Sequence, residues 1–294
     1  MKLLKTLLII IVFGYSLSMS ANANSSKNKM PFLASFSGSL QKGLLSNNQI
    51  EIIKSVMDQQ KFQNIYWPVY NLMNNLAYFE ATENLDQQGV STNVYQSNLF
   101  VPDEKTKRII RNAKYPSLSP NGRLLAFYRH PNQLWVYNFK DKIEKKIIDN
   151  IMKIQPCVWI SNDSLLFYDM SNKMIQFNLL TEEKQETGQV NIIPGALSPD
   201  QKIVLCGSSD GKRVFSYSPI SKKINLLKEN KYCSIGSSFI WLADGSGFLF
   251  TQQVWSNILK FNESRDLFVY VFNGGETHLL NKIALFGGVS FQHE

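Results

Sequence analysis

The sequence predicts an all-β chain folded as a β-propeller, and three observations carry that prediction. A short turn rich in Pro, Asn, Asp and Gly, followed at once by an apolar run, occurs in residues 118–127, 159–167, 197–205 and 241–250, with a weaker fifth copy in 69–79. Downstream of each copy comes an alternating aromatic-rich stretch, and in most copies a charged turn and an apolar tail follow it. The period is regular: Tyr137, Phe177 and Tyr217 stand 40 residues apart. Period-2 alternation with β-branched and aromatic enrichment favours strand over helix. Four short strands in about 40 residues, repeated, is the pattern of propeller blades. A β-sandwich would lack the recurring turn at matched positions.

Taken in order, residues 1–23 read as a cleavable secretory signal. Lys2 and Lys5 form a positive start, residues 7–13 are an unbroken apolar run, and Ala21-Asn22-Ala23 is a small-x-small cleavage site. The apolar run is far short of the roughly 20 residues a spanning helix needs, and no later segment qualifies either. Residues 24–64 form an N-terminal segment. Within it, 47–62 reads equally as a short amphipathic helix capped by Asn47 or Asn48 or as strand.

The propeller is expected over 65–294. In the first unit, Asn98-Leu99-Phe100-Val101 is taken as the third strand and Ile109-Ile110 as the end of the fourth. The second unit continues through Leu134-Trp135-Val136-Tyr137, a turn at Lys140-Asp141-Lys142, and Ile147-Ile148. The third offers Met174-Ile175-Gln176-Phe177 with a degraded last strand. The fourth offers Val214-Phe215-Ser216-Tyr217 and Leu226-Leu227, the fifth Leu267-Phe268-Val269-Tyr270 and Leu279-Leu280. Two pieces remain. Gly287-Gly288-Val289-Ser290-Phe291 looks like the first strand of another blade, and residues 32–36 and 50–53 can supply its outer strands. A shared blade would close the ring and leave no open edge. Six blades of four strands, one composite, is therefore the favoured count, with five blades and a free N-terminal arm as the alternative.

The Ser-Pro-Asn-Gly and Ser-Pro-Asp turns, the apolar strand after them and the paired aliphatic tail resemble the WD-like propeller repeats of TolB-type proteins. The resemblance spans about residues 65–292 and is best over 115–148. It covers only the propeller part of that family, whose members carry an α/β domain ahead of it. It implies a periplasmic β-propeller that binds protein or envelope components.

Composition agrees with a large core: 44% of residues are hydrophobic and 12% aromatic, which excludes a disordered, collagenous or disulfide-scaffold chain. The formal charge is +8, and loss of residues 1–23 with Lys2 and Lys5 would leave +6. That surplus is mild and gives no argument for nucleic acid. Lysines and arginines cluster at 105–114, 140–146 and 222–231, around third-to-fourth-strand turns. There they read as solvated edges that discourage sheet-to-sheet association, or as a patch for an anionic surface.

The search for chemistry yields no catalytic constellation, no cofactor motif and no metal site. Gly207-Ser208-Ser209-Asp210-Gly211 matches a nucleophile-elbow pattern, yet a strand rather than a helix follows it, so it reads as a turn. His130, His278 and His293 are scattered. Asp163, Asp200 and Asp244 fall in the repeat turns. Cys157, Cys206 and Cys233 permit one disulfide in an exported chain, with three possible pairings.

Functional residues are instead expected on two long second-to-third-strand loops flanking the closure, 82–96 and 254–265. The candidates there are Leu85, Asp86, Tyr95, Trp255, Ile258 and Phe261, since loops on a rigid scaffold and aromatics at their tips suit protein contact. The expected function is a monomeric exported scaffold, periplasmic or else extracellular, that binds another protein or an envelope component. Alternatives are a hydrolase or lyase at the channel mouth, or a small-ligand binder.

Overall fold

The computed structural model describes residues 30–36, 39–46, 49–55, 62–71, 74–83, 91–98, 106–152, 156–230, 234–255, 263–280 and 286–291. They form six four-stranded antiparallel sheets. Strands β1 (Met30–Phe36), β2 (Ser39–Ser46) and β3 (Gln49–Ser55) belong to a blade completed from the far end of the chain. Blade 1 is β4 (Phe62–Asn71), β5 (Leu76–Glu83), β6 (Thr92–Asn98) and β7 (Lys107–Ile110). Blade 2 is β8 (Lys114–Leu118), β9 (Leu124–Arg129), β10 (Gln133–Asn138) and β11 (Ile143–Ile148). Blade 3 is β12 (Val158–Trp159), β13 (Ser164–Tyr168), β14 (Lys173–Asn178) and β15 (Lys184–Val190). Blade 4 is β16 (Ile192–Leu197), β17 (Val204–Ser208), β18 (Arg213–Tyr217) and β19 (Ile224–Glu229). Blade 5 is β20 (Ile235–Trp241), β21 (Gly247–Trp255), β22 (Glu263–Val271) and β23 (Gly275–Leu280).

The last strand, β24 (Phe286–Phe291), pairs with β1 in the register Phe32↔Phe291 to Phe36↔Phe286. It is the innermost strand of the sheet β24-β1-β2-β3 and touches the innermost strands β4 and β20 on either side. The composite blade thus joins the two ends of the chain across the ring and pairs an edge that would otherwise lie open. Of the two readings for 47–62, strand holds over Gln49–Ser55. Residue 62 opens β4, and residues 47–48 and 56–61, like the signal segment 1–23, lie outside the described residues.

Side-chain alternation explains why the second strands read as continuous apolar runs. Successive residues of a strand face opposite sides of the sheet, and a propeller blade is covered on both. Leu125 and Phe127 pack toward Tyr78 and Val94 of blade 1, while Ala126 and Tyr128 pack toward Trp159, Leu165 and Phe167 of blade 3. Leu166 and Met174 face Cys206 and Tyr217 of blade 4, and Leu205 and Val214 face Phe248 and Phe250 of blade 5. The closing blade contributes Leu33 and Leu40 to a cluster with Phe62, Phe79 and Tyr95. The hydrophobic fraction therefore lies between blades, in five separate clusters among the described residues rather than one central core.

Two copies of the recurring turn share one mechanism. In blade 2 the Ser119 hydroxyl donates to Asn121 Oδ1 at 2.9 Å and accepts from Leu124 N at 3.0 Å. In blade 4 the Ser198 hydroxyl donates to Asp200 Oδ1 at 2.6 Å and accepts from Ile203 N at 3.0 Å. Gly122 closes the first of these with φ +66°, a left-handed position that glycine adopts without steric cost. It also packs so closely on blade 1 that an added Cβ would sit 2.5 Å from Asn71 Nδ2, which donates to Gly122 O at 3.1 Å.

Candidate functional site: the central channel

Antiparallel order sends the first-to-second and third-to-fourth turns of every blade to one face of the ring, and the second-to-third connections to the other. The innermost strands converge on the axis and enclose a cavity of about 360 Å³ that runs to the face of the first-to-second turns. Its described wall comes from five blades: Trp67-Pro68-Val69, Pro116-Ser117-Leu118, Pro156 through Trp159, Gly195 through Pro199, and Ser238-Phe239, with Pro120 and Gln201 at the rim.

Proline is at home here for a physical reason. The innermost strand is an edge strand, so its channel side has no ladder partner for an N–H to serve. These strands are also irregular, with register shifts at Gln63/Tyr66, Tyr66/Val69, Lys114/Ser117, Pro194/Ala196 and Ile235/Phe239. Trp67 and Tyr115, at matched positions just before Pro68 and Pro116, both hold positive φ, 49° and 54°. Their rings meet edge-on at 5.5 Å, and Tyr115 meets Tyr128 at 5.8 Å. Left-handed backbone at bulky residues is costly and persists where surroundings over-determine it. Glu80 supplies part of that constraint. Its buried carboxylate accepts the Tyr115 N–H at 2.9 Å, and burial raises its pKa above the ordinary value.

Indole hydrogen bonds fix the wall from blade to blade. Trp159 Nε1 donates to Ser117 O, and Trp241 Nε1 donates to Ala196 O, both at 3.0 Å. The wall thus offers prolines, two tryptophans, serine hydroxyls and one glutamine amide. Its single titratable side chain among the described lining residues is Cys157, whose thiol burial pushes up to about 12. That thiol is protonated at neutral pH and a poor nucleophile. The surface can bind; its described residues include no general acid or base.

The structure places the other sequence candidates as follows. Leu85, Asp86, Ile258 and Phe261 lie outside the described residues. Trp255 ends β21, and its side chain lies outside the described set. Tyr95 requires a correction. It belongs to strand β6, which starts at Thr92, and it is 1% exposed, 4.8 Å from the Phe62 ring and 6.1 Å from Phe79. The third strand of blade 1 is therefore Thr92–Asn98, ahead of the place expected for it, and strands β6, β21 and β22 take up residues 92–96, 254–255 and 263–265 of the two stretches expected as loops. Cys157 and Cys206 are free and buried, so they are not paired with each other; Cys233 lies outside the described residues.

Gly207 and Ser208 end β17, and Ser209 through Gly211 enter the turn to β18, across which Ser208 Oγ accepts from Arg213 N at 2.9 Å and pairs with Asp210. His278 pairs with Asp266 at 3.0 Å on the outer half of blade 5, and His130 sits in an exposed turn. Lysines of the outer strands bridge blades: Lys145 reaches Glu182 at 2.5 Å, and Lys228 pairs with Glu276. Among the described residues no group of three or more His, Cys, Asp or Glu is arranged to hold a metal ion, and no helix is long and apolar enough to cross a membrane.

The sequence points to the channel mouth only as an alternative site and does not name the residues of its wall. A signal for it exists in the prolines near the start of successive units, Pro68, Pro116 and Pro156.

This chain shares its fold with solved propellers. A chain of the nidogen/laminin complex superposes with a TM-score of 0.68 at 12% identity, covering 89% of this chain and 98% of that one. TolB from Acinetobacter baumannii superposes with 0.67 at 11% identity, covering 91% and 67%. An oligogalacturonate lyase in complex with manganese gives 0.52 at 11% identity, covering 86% and 73%. No protein-family model matches the sequence, and no curated protein matches it either. The likeness to TolB and its fellow propellers is thus one of architecture: a TolB-like β-propeller.

Proposed function

We propose that this chain is an exported, non-catalytic propeller that binds a protein or an envelope component through the face onto which the central channel opens. The observation that carries the reading is the channel wall itself, rigid, proline- and tryptophan-rich, and built without an acid–base group among its described residues. Rigid aromatic and apolar walls with a few hydroxyls suit the central part of a protein contact. The nidogen/laminin complex shows the same fold within a protein–protein assembly. Export, with the periplasm as destination, rests on Lys2, Lys5, the apolar run and the Ala21-Asn22-Ala23 site.

The test is in-cell crosslinking of the tagged full chain followed by affinity purification, beside an unrelated exported propeller. Recovery of a partner specific to this chain from the envelope fraction supports the reading. Recovery of the same set as the control, or of the chain only in the cytoplasm with residues 1–23 retained, overturns it. A second reading, binding of a small ligand, is favoured by the cavity of about 360 Å³, which falls within the range of ligand pockets.

A further inference from the structure

A second concavity opens on the same face, between blades 4 and 5. It has a volume of about 450 Å³ and is walled by Pro199, Ile203, Trp241 and Phe272, with Asp200 and Asp244 on opposite blades. Ser198 and Pro199 line this groove and the central channel alike, so the two spaces share a wall.

Phe272 is the one aromatic among the large apolar side chains found exposed in the described residues, at 39%. It is nonetheless fixed, with its ring 5.7 Å from Trp241 and 6.0 Å from Tyr270, and its backbone N–H bonded to Ser246 O at 3.0 Å. An exposed aromatic already held in place loses little conformational freedom on binding, which is the property of a preformed anchor site.

The two aspartates hold the second clue. Each uses Oδ1 for its own turn. Asp200 Oδ1 accepts from Ser198 Oγ and Lys202 N, and Asp244 Oδ1 accepts from Ser246 N at 3.0 Å and Ser246 Oγ at 2.7 Å. At the matched position of blade 2, Asn121 Oδ1 performs the same task, accepting from Ser119 Oγ at 2.9 Å and Arg123 N at 3.1 Å. The turn therefore needs the Oδ1 oxygen and not the negative charge. The charge on both sides of this groove is surplus to folding. The Ser198 hydroxyl holds the Asp200 carboxyl below the usual carboxylate range, so it is ionised at neutral pH. Among the described residues its Oδ2 pairs with the exposed Lys202 ammonium, at 3.5 Å.

We infer that the groove between blades 4 and 5 docks a polypeptide segment that presents an apolar side chain flanked by lysine or arginine. The apolar side chain enters against Phe272, Trp241 and Ile203, and the cations meet Asp200 and Asp244. This inference rests on the protein-binding reading above and specifies its face and partner chemistry.

The experiment titrates the full mature chain with three peptides at low salt: Ac-Ser-Lys-Leu-Lys-Ser-NH2, its Glu-Leu-Glu counterpart and its Lys-Ser-Lys counterpart. The readout is the indole N–H resonance of Trp241, assigned by the Trp241→Phe variant. The Lys-Leu-Lys peptide is expected to shift that resonance saturably, and each of the other two to bind about tenfold more weakly or worse. The double variant Asp200→Asn with Asp244→Asn keeps both turns and is expected to lose about tenfold in affinity. Phe272→Ser is expected to lose a comparable amount with the charges intact. Equal shifts by Lys-Leu-Lys and Glu-Leu-Glu, or undiminished binding by the double variant, overturns the inference. If the double variant still recovers the same crosslinked partner, the groove proposal falls while protein binding stands. If the peptides bind as expected and no partner is recovered from cells, the groove stands and the cellular reading falls.

Discussion

The indole N–H of Trp159 in blade 3 donates to the backbone carbonyl of Ser117 in blade 2 at 3.0 Å, in a fully buried setting. Trp241 repeats the bond two blades on, to Ala196 O. In both cases the acceptor lies on an inner strand beside a register shift. The tryptophan joins consecutive blades at the channel wall, so the repeat is held by specific polar ties as well as by apolar contact.

Replacing Trp159 with Phe removes that donor. Loss of one hydrogen bond costs about 0.5–1.5 kcal/mol, and the smaller ring adds a loss of packing. Denaturant unfolding is expected to show a midpoint lowered by a corresponding amount with an unchanged slope. Trp241→Phe is expected to cost less, because its bond is only partly buried.

Gly122 and Gly245 separate two costs that usually travel together. Both hold left-handed backbone, φ +66° and +72°, but only Gly122 faces a neighbour, Asn71, where a Cβ would fall. Gly245→Ala is expected to cost about 1 kcal/mol, the price of the conformation alone. Gly122→Ala is expected to cost at least about 1 kcal/mol more, since it must also displace Asn71 and its bond to Gly122 O. Thermal melts of the two variants side by side check the difference, and equal losses would show that Asn71 yields freely.

Glu80 predicts a pH dependence with a definite sign. Burial raises its pKa in the folded chain, so the folded state binds the proton more tightly than the unfolded state. Its contribution to stability is therefore greatest at low pH and declines as pH rises from the ordinary carboxyl range through the raised folded value. Glu80→Gln keeps an acceptor for Tyr115 N–H and removes the ionisation. The stability of Glu80→Gln relative to the parent chain is expected to grow with pH across that window and then level off. Glu80→Ala, which deletes the acceptor, is expected to lose about 1–3 kcal/mol at low pH, a deficit that narrows as pH rises through the same window.

The ring and its composite closure were legible because strands buried on both faces leave long apolar runs at a fixed period, as in Leu124 through Tyr128 and Leu165 through Tyr168. Strand β6 was not. Its burial depends on polar residues satisfied by partners that hydropathy does not register: Asn93 is 1% exposed and its Oδ1 accepts Asn112 N at 3.1 Å. That is how Tyr95 came to be read as a loop residue. The channel was hidden for a different reason. Its wall joins Trp67 to Phe239 through five separate strands, and no local pattern states which faces converge on an axis.

The thiols test burial and the disulfide question together. Cys157 lines the channel yet is 3% exposed, with its pKa up to about 12, and Cys206 is fully buried with its thiol also pushed up. A protonated, buried thiol reacts only when the structure opens. In a Cys233→Ser background, native protein at pH 8 is expected to release no chromophore from Ellman's reagent on the timescale of minutes and two equivalents after unfolding. Prompt reaction of one thiol would place Cys157 within reach of the channel solvent.

The last prediction separates the channel from the outer rim. Ser238 lines the cavity beside Phe239 and is only partly buried. A tryptophan there fills the free volume and leaves the blade clusters untouched. Ser238→Trp is expected to change stability by less than about 1 kcal/mol and to reduce recovery of a crosslinked partner about tenfold or more. Leu180 and Ile220 are 76% and 86% exposed on third-to-fourth-strand turns of the same face, away from the axis. Leu180→Ser with Ile220→Ser is expected to leave that recovery unchanged. If the rim variant loses the partner and the channel variant keeps it, the contact lies on the exposed apolar turns rather than at the channel, because only a surface that is covered in the complex can transmit the loss.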